Sequence, residues 1–454
     1  MRIHFIAIGG SAMHNLAIAL HKNGHEVSGS DDVFYEPSAG RLKKYGLLPE
    51  KAGWFPEKIT GETGSVILGM HAKADNPELL EAQRLGIRIY SYPEYIYEQS
   101  RKKTRVVIGG SHGKTTITAM IMHVLRVRDR AFDYLVGAML DGFETMVQLS
   151  DAPLILIEGD EYLASPIDRR PKFHLYKAHL AVLSGIAWDH INVFPTFDNY
   201  KLQFRLFLES MEKDGKVGYA PDDQDLAGVI ADDHSALEKI MYSAPEHTIE
   251  NGVTYILNGE ERIPLRVFGR HNLTNIGAAR QICLWLGINE TDFYHAISSF
   301  KGAARRLELL GKNEHVFIYK DFAHSPSKLK ATLNAARLQF PDKKLIACME
   351  LHTFSSLNEN FLSQYAGTMA EADEALVFID QKTFAQKGME PFSEEKVKST
   401  FQKNDLTFLT NPADFENFLR EISENDYILL LMSSGNFGGI NMDDVTAHLL
   451  TKNH

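Results

Sequence analysis

The stretch TRVVIGGSHGKTT, residues 104–116, decides how this chain is interpreted. An apolar run leads directly into two glycines, and Gly-Lys-Thr then opens an apolar helical pattern over 117–125. Small residues between a strand and a helix let backbone N–H groups surround a phosphate at the helix N-terminus, where the dipole favours anions. The order therefore predicts a phosphate-binding loop. The alternative is a glycine-rich turn with an exposed lysine.

Two side chains of this loop have expected chemical roles. Lys114 should reach the terminal phosphates of a nucleotide, and the Thr115 hydroxyl should coordinate Mg²⁺. The spacing departs from the full GxxxxGK[ST] form because residue 108 is isoleucine. The candidate ATP-binding residues of the loop are Gly110, Ser111, His112, Gly113, Lys114, Thr115 and Thr116.

The composition is that of a globular protein. The chain has 454 residues, of which 44% are hydrophobic and 24% charged, so disordered, collagen-like and coiled-coil classes are excluded. The net charge of −11 argues against nucleic acid as the main partner. No run approaches the ~20 apolar residues of a membrane helix, and no targeting signal is evident at the start. We expect a cytoplasmic protein without a membrane partner, in which Cys283 and Cys348 are buried thiols.

Strand-like and helix-like runs alternate along nearly the whole chain, which is the pattern of parallel α/β domains. A charged run precedes the strand at 104, and another unit begins after Gly302. We predict an α/β fold of three domains. They are a Rossmann-like N-terminal domain at 1–103, a central P-loop-type ATP-binding domain at 104–302 and a Rossmann-like C-terminal domain at 303–454.

Two local expectations accompany this division. Asn-Gly pairs at 251–252 and 258–259 predict β structure within the more polar segment 216–268. The segment 360–371 is expected to form a helix of the third domain.

Acidic and imidazole side chains follow two predicted strands. Glu158 comes after the apolar run 154–157, and His190 follows the strand near Val182. Ligands bind at the carboxyl ends of parallel strands, so both side chains could complete the metal shell that Thr115 begins. Taken alone, His190 is more readily explained as a structural histidine.

Two further clusters have open alternatives. His271 and Asn272 open an Ala-rich helix, and they could either cap that helix or bind a nucleobase edge. Arg306 could clamp a phosphate and Asp321 could bind a ribose hydroxyl, but both could equally form surface ion pairs.

The N-terminal loop resembles a dinucleotide fingerprint in part. Gly10 and Ser11 follow the first strand and Asp31 follows the second, but the full GxGxxG pattern is absent. A diphosphate-bearing ligand therefore fits better than a redox cofactor, and an oxidoreductase is weakly supported.

Taken together, these motifs resemble those of the Mur ligases in order and spacing over essentially the whole chain. The motifs are Gly110–Thr116, Glu158, Asp189-His190, Gly269-x-His271-Asn272-x-x-Asn275, Arg305-Arg306 and Asp321-x-Ala323-His324. The resemblance implies an ATP-dependent, ADP-forming ligase of peptidoglycan metabolism that makes an amide bond through an acyl phosphate, with ATP and Mg²⁺ as cofactors. A non-catalytic nucleotide-binding regulator is a distant alternative.

The resemblance also implies roles for individual residues. The expected catalytic residues are Lys114, His190 and Arg306. Adenosine is expected to contact His271, Asn272 and Asp321, with Arg306 on the phosphates. The metal ligands would be Thr115, Glu158 and His190. The expected substrate-binding residues are Gly10, Ser11, Asp31, Asp160, Glu161 and His324.

Within the family, three stretches are similar to the branch that adds a recycled tripeptide: 160–162 with 168–176, 320–324 and 432–440. The expected reaction joins L-Ala-γ-D-Glu-meso-diaminopimelate to UDP-N-acetylmuramate. The alternative is ligation of L-alanine to the same acceptor, although 351–355 lacks the arginines expected for that branch. Another departure is Ser184-Gly185-Ile186-Ala187, where the family often has an Asn-rich turn. A monomer or homodimer is expected.

Overall fold

The computed structural model describes residues 1–188, 193–303, 307–353, 355–387 and 390–452. The chain divides into two compact units. The first unit contains residues 1–245 and 274–297, and the second contains residues 246–273 and 298–454.

The first unit begins with a parallel four-stranded sheet. Its strands are β1 (Arg2–Ile6), β2 (Glu26–Ser30), β3 (Ser65–Leu68) and β4 (Ile89–Ser91). Its helices are α1 (Ser11–Lys22), α2 (Ser38–Lys44), α3 (Pro77–Arg84) and α4 (Tyr92–Ser100). The strand order β2-β1-β3-β4 reverses at β1. Ligands bind at such a switch point, beyond the carboxyl ends of the strands.

The first unit also contains a seven-stranded sheet. Its strands are β5 (Thr104–Gly109), β6 (Asp133–Leu135), β7 (Val147–Gln148), β8 (Leu154–Glu158), β9 (Leu180–Leu183), β10 (Lys216–Tyr219) and β11 (Glu238–Met241). The order is β11-β10-β9-β5-β8-β6-β7, and all pairs except β6 with β7 are parallel. The strand before the glycine-rich loop, β5, is therefore central, with β8 and β9 on either side.

Six helices accompany this sheet in the chain. They are α5 (Lys114–Val127), α6 (Lys172–Leu175), α7 (Phe197–Ser210), α8 (Gln224–Asp232), α9 (Arg270–Trp285) and α10 (Glu290–Ile297). Helix α9 starts in the second unit and continues in the first. The Asp223 side chain caps α8, a helix that the sequence did not predict within the segment 216–268.

The second unit begins with a three-stranded antiparallel sheet. Its strands are β12 (His247–Glu250), β13 (Val253–Asn258) and β14 (Glu261–Pro264). Asn251 and Gly252 join the first two strands with φ values of +49° and +73°, as two-residue hairpin turns require. The β structure predicted from the Asn-Gly pairs is confirmed for this part of the segment.

A six-stranded sheet forms the rest of the second unit. Its strands are β15 (Glu308–Lys312), β16 (Val316–Asp321), β17 (Lys344–Glu350), β18 (Glu374–Phe378), β19 (Thr407–Leu409) and β20 (Tyr427–Met432). The order is β15-β16-β20-β17-β18-β19, with only β15 antiparallel to its neighbour. Its helices are α11 (Pro326–Gln339), α12 (Glu359–Leu362), α13 (Gln381–Lys387), α14 (Glu394–Phe401), α15 (Pro412–Glu421) and α16 (Met442–Lys452).

The prediction of a helix over 360–371 is wrong. Helix α12 ends at Leu362, and a short 3₁₀ segment, Ser363–Tyr365, follows it. Gly367 then adopts φ +67°, a left-handed conformation that ends right-handed helical backbone.

The cores of the parallel sheets are apolar on both faces. Val106, Val107 and Ile108 of β5 have no solvent exposure, as expected for a central strand that helices cover on both sides. Cys283 and Cys348 are free and buried, as predicted, and burial raises the pKa of each thiol. Among the described residues, no helix combines the length and hydropathy needed to cross a lipid bilayer.

Candidate active site

The glycine-rich loop joins β5 to α5 at the carboxyl edge of the central sheet. Gly110 (φ +117°) and Gly113 (φ +80°) adopt backbone conformations that side chains disfavour. A Cβ atom on Gly110 would lie 2.4 Å from Ser184 Oγ, and one on Gly113 would lie 2.6 Å from Asn275 Oδ1. Both positions therefore require glycine, and the loop is a tight cradle at the N-terminus of α5.

The turn after β9 supports this cradle. The Ser111 N–H donates to the Gly185 carbonyl oxygen at 3.0 Å, and the Ala187 N–H donates to Ser111 Oγ at 2.8 Å. The Ser184 hydroxyl donates to the carbonyl oxygen of His112. The small residues that replace the expected Asn-rich turn thus hold the phosphate-binding loop by hydrogen bonds to its backbone and to one of its hydroxyls.

Lys114, the first residue of α5, lies at the mouth of the loop. Its Nζ donates to the Gly110 carbonyl oxygen at 2.7 Å and to Glu161 Oε2 at 2.8 Å. The Lys114 side chain is 17% exposed, whereas that of Glu161 is 1% exposed. The structure thus brings a residue predicted to bind substrate into contact with the residue predicted to bind phosphate.

Tyr200 of α7 completes this cluster, and sequence analysis did not single it out. Its hydroxyl donates to Glu161 Oε1 at 2.9 Å, and it lies 3.0 Å from Ser111 Oγ. Thr196 caps the N-terminus of α7 through the Asn199 N–H, which fixes where the helix starts. A buried tyrosine in an amphipathic helix has the same sequence pattern as any core aromatic residue, so no local signal distinguished it.

Thr115 and Glu158 form the described part of the predicted metal site. The Thr115 hydroxyl donates to Glu158 Oε1 at 2.8 Å, and the Gly137 N–H donates to Glu158 Oε2 at 2.8 Å. Burial raises the pKa of Glu158, and these two hydrogen bonds oppose that effect. A carboxylate that is costly to ionise beside a hydroxyl oxygen fits a hard divalent cation, because the cation would stabilise its charge.

No cluster of three His, Cys, Asp or Glu side chains that could hold a metal occurs within the described ranges. His190, the third predicted ligand, lies outside those ranges, as do Asp189 and the predicted catalytic Arg306 with its neighbour Arg305. Their predicted roles are therefore not examined by the structure.

Asp160, another predicted substrate residue, is engaged in an ion pair. Its Oδ2 lies 2.5 Å from Lys172 Nζ, and its Oδ1 accepts the Tyr162 N–H at 3.0 Å. Burial alone would raise the pKa of Asp160, but the Lys172 ammonium, the Tyr162 N–H and the charge of Lys114 together outweigh burial, and the pKa is lowered. The Asp160 side chain is 40% exposed, so solvent reaches it while it is paired.

The N-terminal candidates lie at the switch point of the first sheet. Gly10 is the N-cap of α1, and the Ser11 hydroxyl lies 3.9 Å from Met146 Sδ. Asp31 Oδ2 accepts the Gly9 N–H at 2.7 Å, and burial raises the pKa of Asp31 to about 6. The three candidates are therefore at the carboxyl edge, where the topology places a ligand.

In the second unit, the two residues predicted to contact adenine, His271 and Asn272, lie in the first turn of α9. The helix begins at Arg270, so Asn272 is in its first turn and is not the N-cap. The Asn272 amide is buried and donates to the Phe268 carbonyl oxygen at 2.9 Å. His271 is exposed. The hydrogen bond accounts for one N–H of Asn272 and leaves the nucleobase prediction untested.

The carboxyl edge of the C-terminal sheet holds the remaining candidates. Asp321 ends β16, is buried, and accepts the Thr332 hydroxyl at 2.7 Å. His324 Nδ1 lies 2.9 Å from the Phe322 carbonyl oxygen, and the Tyr365 hydroxyl donates to the His324 carbonyl oxygen at 2.6 Å. These contacts fix the loop after β16, and the predicted ribose and peptide roles remain predictions.

Comparison with known proteins agrees with this arrangement. Three family models match the chain: the Mur ligase catalytic domain at residues 2–104, the Mur ligase middle domain at 108–283 and the Mur ligase glutamate ligase domain at 305–435. The UDP-N-acetylmuramate–L-alanine ligase of Cutibacterium acnes is 30% identical over 395 residues, covering 83% of this chain and 80% of that protein. The chain belongs to the Mur ligase family.

A curated relative and a solved structure are similar to this Mur ligase over nearly its whole length. The Escherichia coli UDP-N-acetylmuramate–L-alanyl-γ-D-glutamyl-meso-2,6-diaminoheptandioate ligase is 27% identical, covering 97% of this chain and 96% of that protein. The solved structure of the UDP-N-acetylmuramate–alanine ligase of Thermotoga maritima matches with a TM-score of 0.69 at 20% identity, covering all of both chains. Alanine ligases outnumber the tripeptide ligase among the similar curated proteins.

Membership in the family confirms the predicted three-domain α/β fold. It also establishes that the chain is an ATP-dependent, ADP-forming amide ligase of peptidoglycan metabolism. The borders at 103 and 302 stay predictions, and so does the amine substrate.

Proposed function

We propose that this Mur ligase joins the tripeptide L-alanyl-γ-D-glutamyl-meso-diaminopimelate to UDP-N-acetylmuramate. In the proposed reaction the muramate carboxylate attacks the γ-phosphorus of ATP and displaces ADP. The carboxylate thereby becomes an acyl phosphate. The tripeptide amine then attacks the acyl carbon, expels inorganic phosphate and loses a proton. The products are the amide, ADP and phosphate.

The observation that carries the choice of amine is the loop after β17. Residues 351–357 read LHTFSSL and contain no lysine or arginine. The Thr353 hydroxyl donates to Ser356 Oγ at 3.0 Å and accepts the Ser356 N–H at 3.1 Å, while the Ser356 hydroxyl donates to the Thr353 carbonyl oxygen at 2.9 Å. The two hydroxyls thus close their own turn.

This loop lies beside the glycine-rich loop after β20. The buried Glu350 carboxylate accepts the Phe437 N–H at 2.9 Å and the hydroxyl of Ser433, and His352 Nδ1 lies 4.0 Å from Glu350 Oε1. A Cβ atom on Gly435 would lie 2.9 Å from the His352 ring. His352, the ionisable side chain of residues 351–357, therefore lies next to the Glu350 carboxylate.

The lack of lysine and arginine in residues 351–357 bears on the charge of the amine substrate. Free alanine has a carboxylate one carbon away from its attacking amine, so an alanine site needs a strong cation nearby. In a peptide the same carbonyl is part of a neutral amide, for which hydroxyl and backbone groups suffice. The hydroxyl-rich loop after β17 supports a peptide. The number of alanine ligases among the relatives favours L-alanine as the second candidate.

The nucleotide half of the proposal assigns the glycine-rich loop and Lys114 to the ATP phosphates. The tight cradle at Gly110 and Gly113 supports this role. Thr115 and Glu158 would hold Mg²⁺, which when bound neutralises charge on the phosphates. Lys114 would add a fixed positive charge where negative charge develops on the transferred phosphoryl group.

The test supplies the enzyme with ATP, Mg²⁺ and UDP-N-acetylmuramate together with either L-alanine or the tripeptide, and identifies products by mass. We expect the tripeptide product and ADP in equal amounts. A product formed only with L-alanine would overturn the choice of amine.

Two variants test the nucleotide half of the same reaction. Lys114→Ala should lower the rate of ADP release with all substrates present by about 1,000-fold, to a small residual rate. The control is Lys216→Ala, because Lys216 pairs with Glu238 on the surface of the same sheet, away from the loop. Near-normal turnover of Lys114→Ala would refute the assigned role of Lys114.

A further inference from the structure

Glu161 is a buried carboxylate for which the proposed chemistry has no use. It has 1% exposure, and both of its oxygens are engaged, one by Lys114 Nζ at 2.8 Å and the other by the Tyr200 hydroxyl at 2.9 Å. A group this enclosed is poorly placed to bind substrate, which is the role that the family resemblance implied. Its contacts instead point to Lys114.

The hydrogen-bond donors that lead from Ala187 to Glu161 are all oriented toward the Glu161 carboxylate. The Ala187 N–H donates to Ser111 Oγ at 2.8 Å, and Ser111 Oγ lies 3.0 Å from the Tyr200 hydroxyl oxygen. Because the Tyr200 proton is directed to Glu161, Ser111 must be the donor to Tyr200. The chain of donors therefore ends on the Glu161 carboxylate, and such aligned chains strengthen each member.

The Lys114 ammonium links Glu161 to the glycine-rich loop. An ammonium has three N–H donors, and Lys114 directs one to Glu161 and one to the Gly110 carbonyl oxygen at 2.7 Å. Lysine has a flexible four-carbon stem with large rotamer entropy. Two fixed acceptors therefore determine where the third N–H points.

We propose that Glu161, oriented by Tyr200, is a positioning residue that holds the Lys114 ammonium in place for phosphoryl transfer. This inference rests on the proposed role of Lys114 at the ATP phosphates. Positioning matters because a charge stabilises a transition state only if it is already in place when charge develops there. Misplacement of a reacting group by about 1 Å can lower a rate by about 100-fold.

The first experiment compares Glu161→Gln, Tyr200→Phe and the wild type by steady-state ADP release. Glu161→Gln keeps the size and one acceptor oxygen but removes the charge, so we expect kcat to fall about 10- to 100-fold while KM for ATP changes less than about threefold. Tyr200→Phe should lower kcat by a smaller factor, because Lys114 keeps its charged partner. The split between kcat and KM distinguishes positioning from loss of a nucleotide-binding contact.

Glu212→Gln is the matched control. Glu212 pairs with the buried Arg105 at 2.6 Å, at the opposite end of β5 from the loop. This variant removes a carboxylate from a buried cation of the same sheet, so it reports general destabilisation. Its thermal midpoint should fall without the loss of kcat.

A double-mutant cycle with Lys114→Ala decides the inference. If Glu161 acts through Lys114, then Glu161→Gln should change the residual rate of Lys114→Ala by less than about twofold. An equal fold-loss in both backgrounds would overturn the inference and leave the proposed function intact. A normal rate of Lys114→Ala alone would overturn the role proposed for Lys114 at the ATP phosphates, and with it this inference. If Glu161→Gln does not fold, the same cycle is run with Tyr200→Phe, which keeps the ring and removes only the hydroxyl.

Discussion

From the raised pKa of Asp31 we predict that the stability of the N-terminal sheet depends on pH. Asp31 is 7% exposed, and burial raises the pKa of its carboxyl group to about 6, against about 3.9 in an unfolded chain. A raised pKa in the folded state means that the stabilising contribution is complete below pH 4 and is lost as the pH rises through 6. At ~1.4 kcal/mol for each pH unit of difference, ionisation of Asp31 should lower the free energy of unfolding by about 3 kcal/mol above pH 7.

The perturbation that isolates this effect is Asp31→Asn, which cannot ionise. The difference in unfolding free energy between this variant and the wild type should move by about 3 kcal/mol in favour of the variant between pH 4 and pH 7.5. The readout is hydrogen exchange by mass spectrometry on peptides covering 1–31, because it reports the opening of this sheet in a chain of several domains. Asp75→Asn is the control, because Asp75 is an exposed carboxylate of the same unit and is not among the groups that shift the pKa of Asp31.

A constant difference between Asp31→Asn and the wild type across this pH range would refute the reasoning. It would mean that the hydrogen bond from Gly9 to Asp31 stabilises the carboxylate as strongly as burial penalises it.

Three further predictions concern the central site and the thiols. Glu158→Gln should raise the Mg²⁺ concentration needed for half-maximal ADP release at least tenfold, because only Thr115 would remain of the described pair; an unchanged Mg²⁺ titration would contradict the metal assignment. Gly113→Ala should lower the free energy of unfolding by about 1–2 kcal/mol in urea, because alanine disfavours the left-handed backbone of this position. The same variant should bind a non-hydrolysable ATP analogue more weakly, and unaltered binding would show that the cradle is dispensable. Cys283 and Cys348 should resist a thiol reagent in the native protein and react fully in denaturant, and fast labelling of the native chain would contradict their burial.

The features that sequence could predict depend on local signals. The glycine-rich loop, the strand before it and the helix after it are specified within 104–127, because buried parallel strands are apolar runs and left-handed positions require glycine. The hairpin at Asn251 and Gly252 is likewise set by two residues. Such elements need no information about distant parts of the chain.

Contacts that depend on tertiary structure were not predictable in the same way. The link between Lys114 and Glu161 spans 47 residues, and that between Glu161 and Tyr200 spans 39. The family resemblance implied that Glu161 binds substrate, but its side chain is buried and contacts Tyr200 of the neighbouring helix α7. The prediction of a helix over 360–371 is wrong for a local reason, since the α-helix gives way to a 3₁₀ segment at Ser363–Tyr365 and Gly367 then adopts a left-handed conformation.

The path of the backbone limits how this enzyme can be dissected. The chain passes between the two compact units at residues 245–246, 273–274 and 297–298, so no single cleavage point liberates either one. A fragment that starts at residue 303 would lack β12, β13 and β14, which belong to the second unit. Gene fusion or exchange of modules within the family would therefore have to carry the segment 246–273 along with the carboxyl-terminal third. This segment follows residues 104–245 of the predicted central domain, and it ends within α9, the helix that both units share.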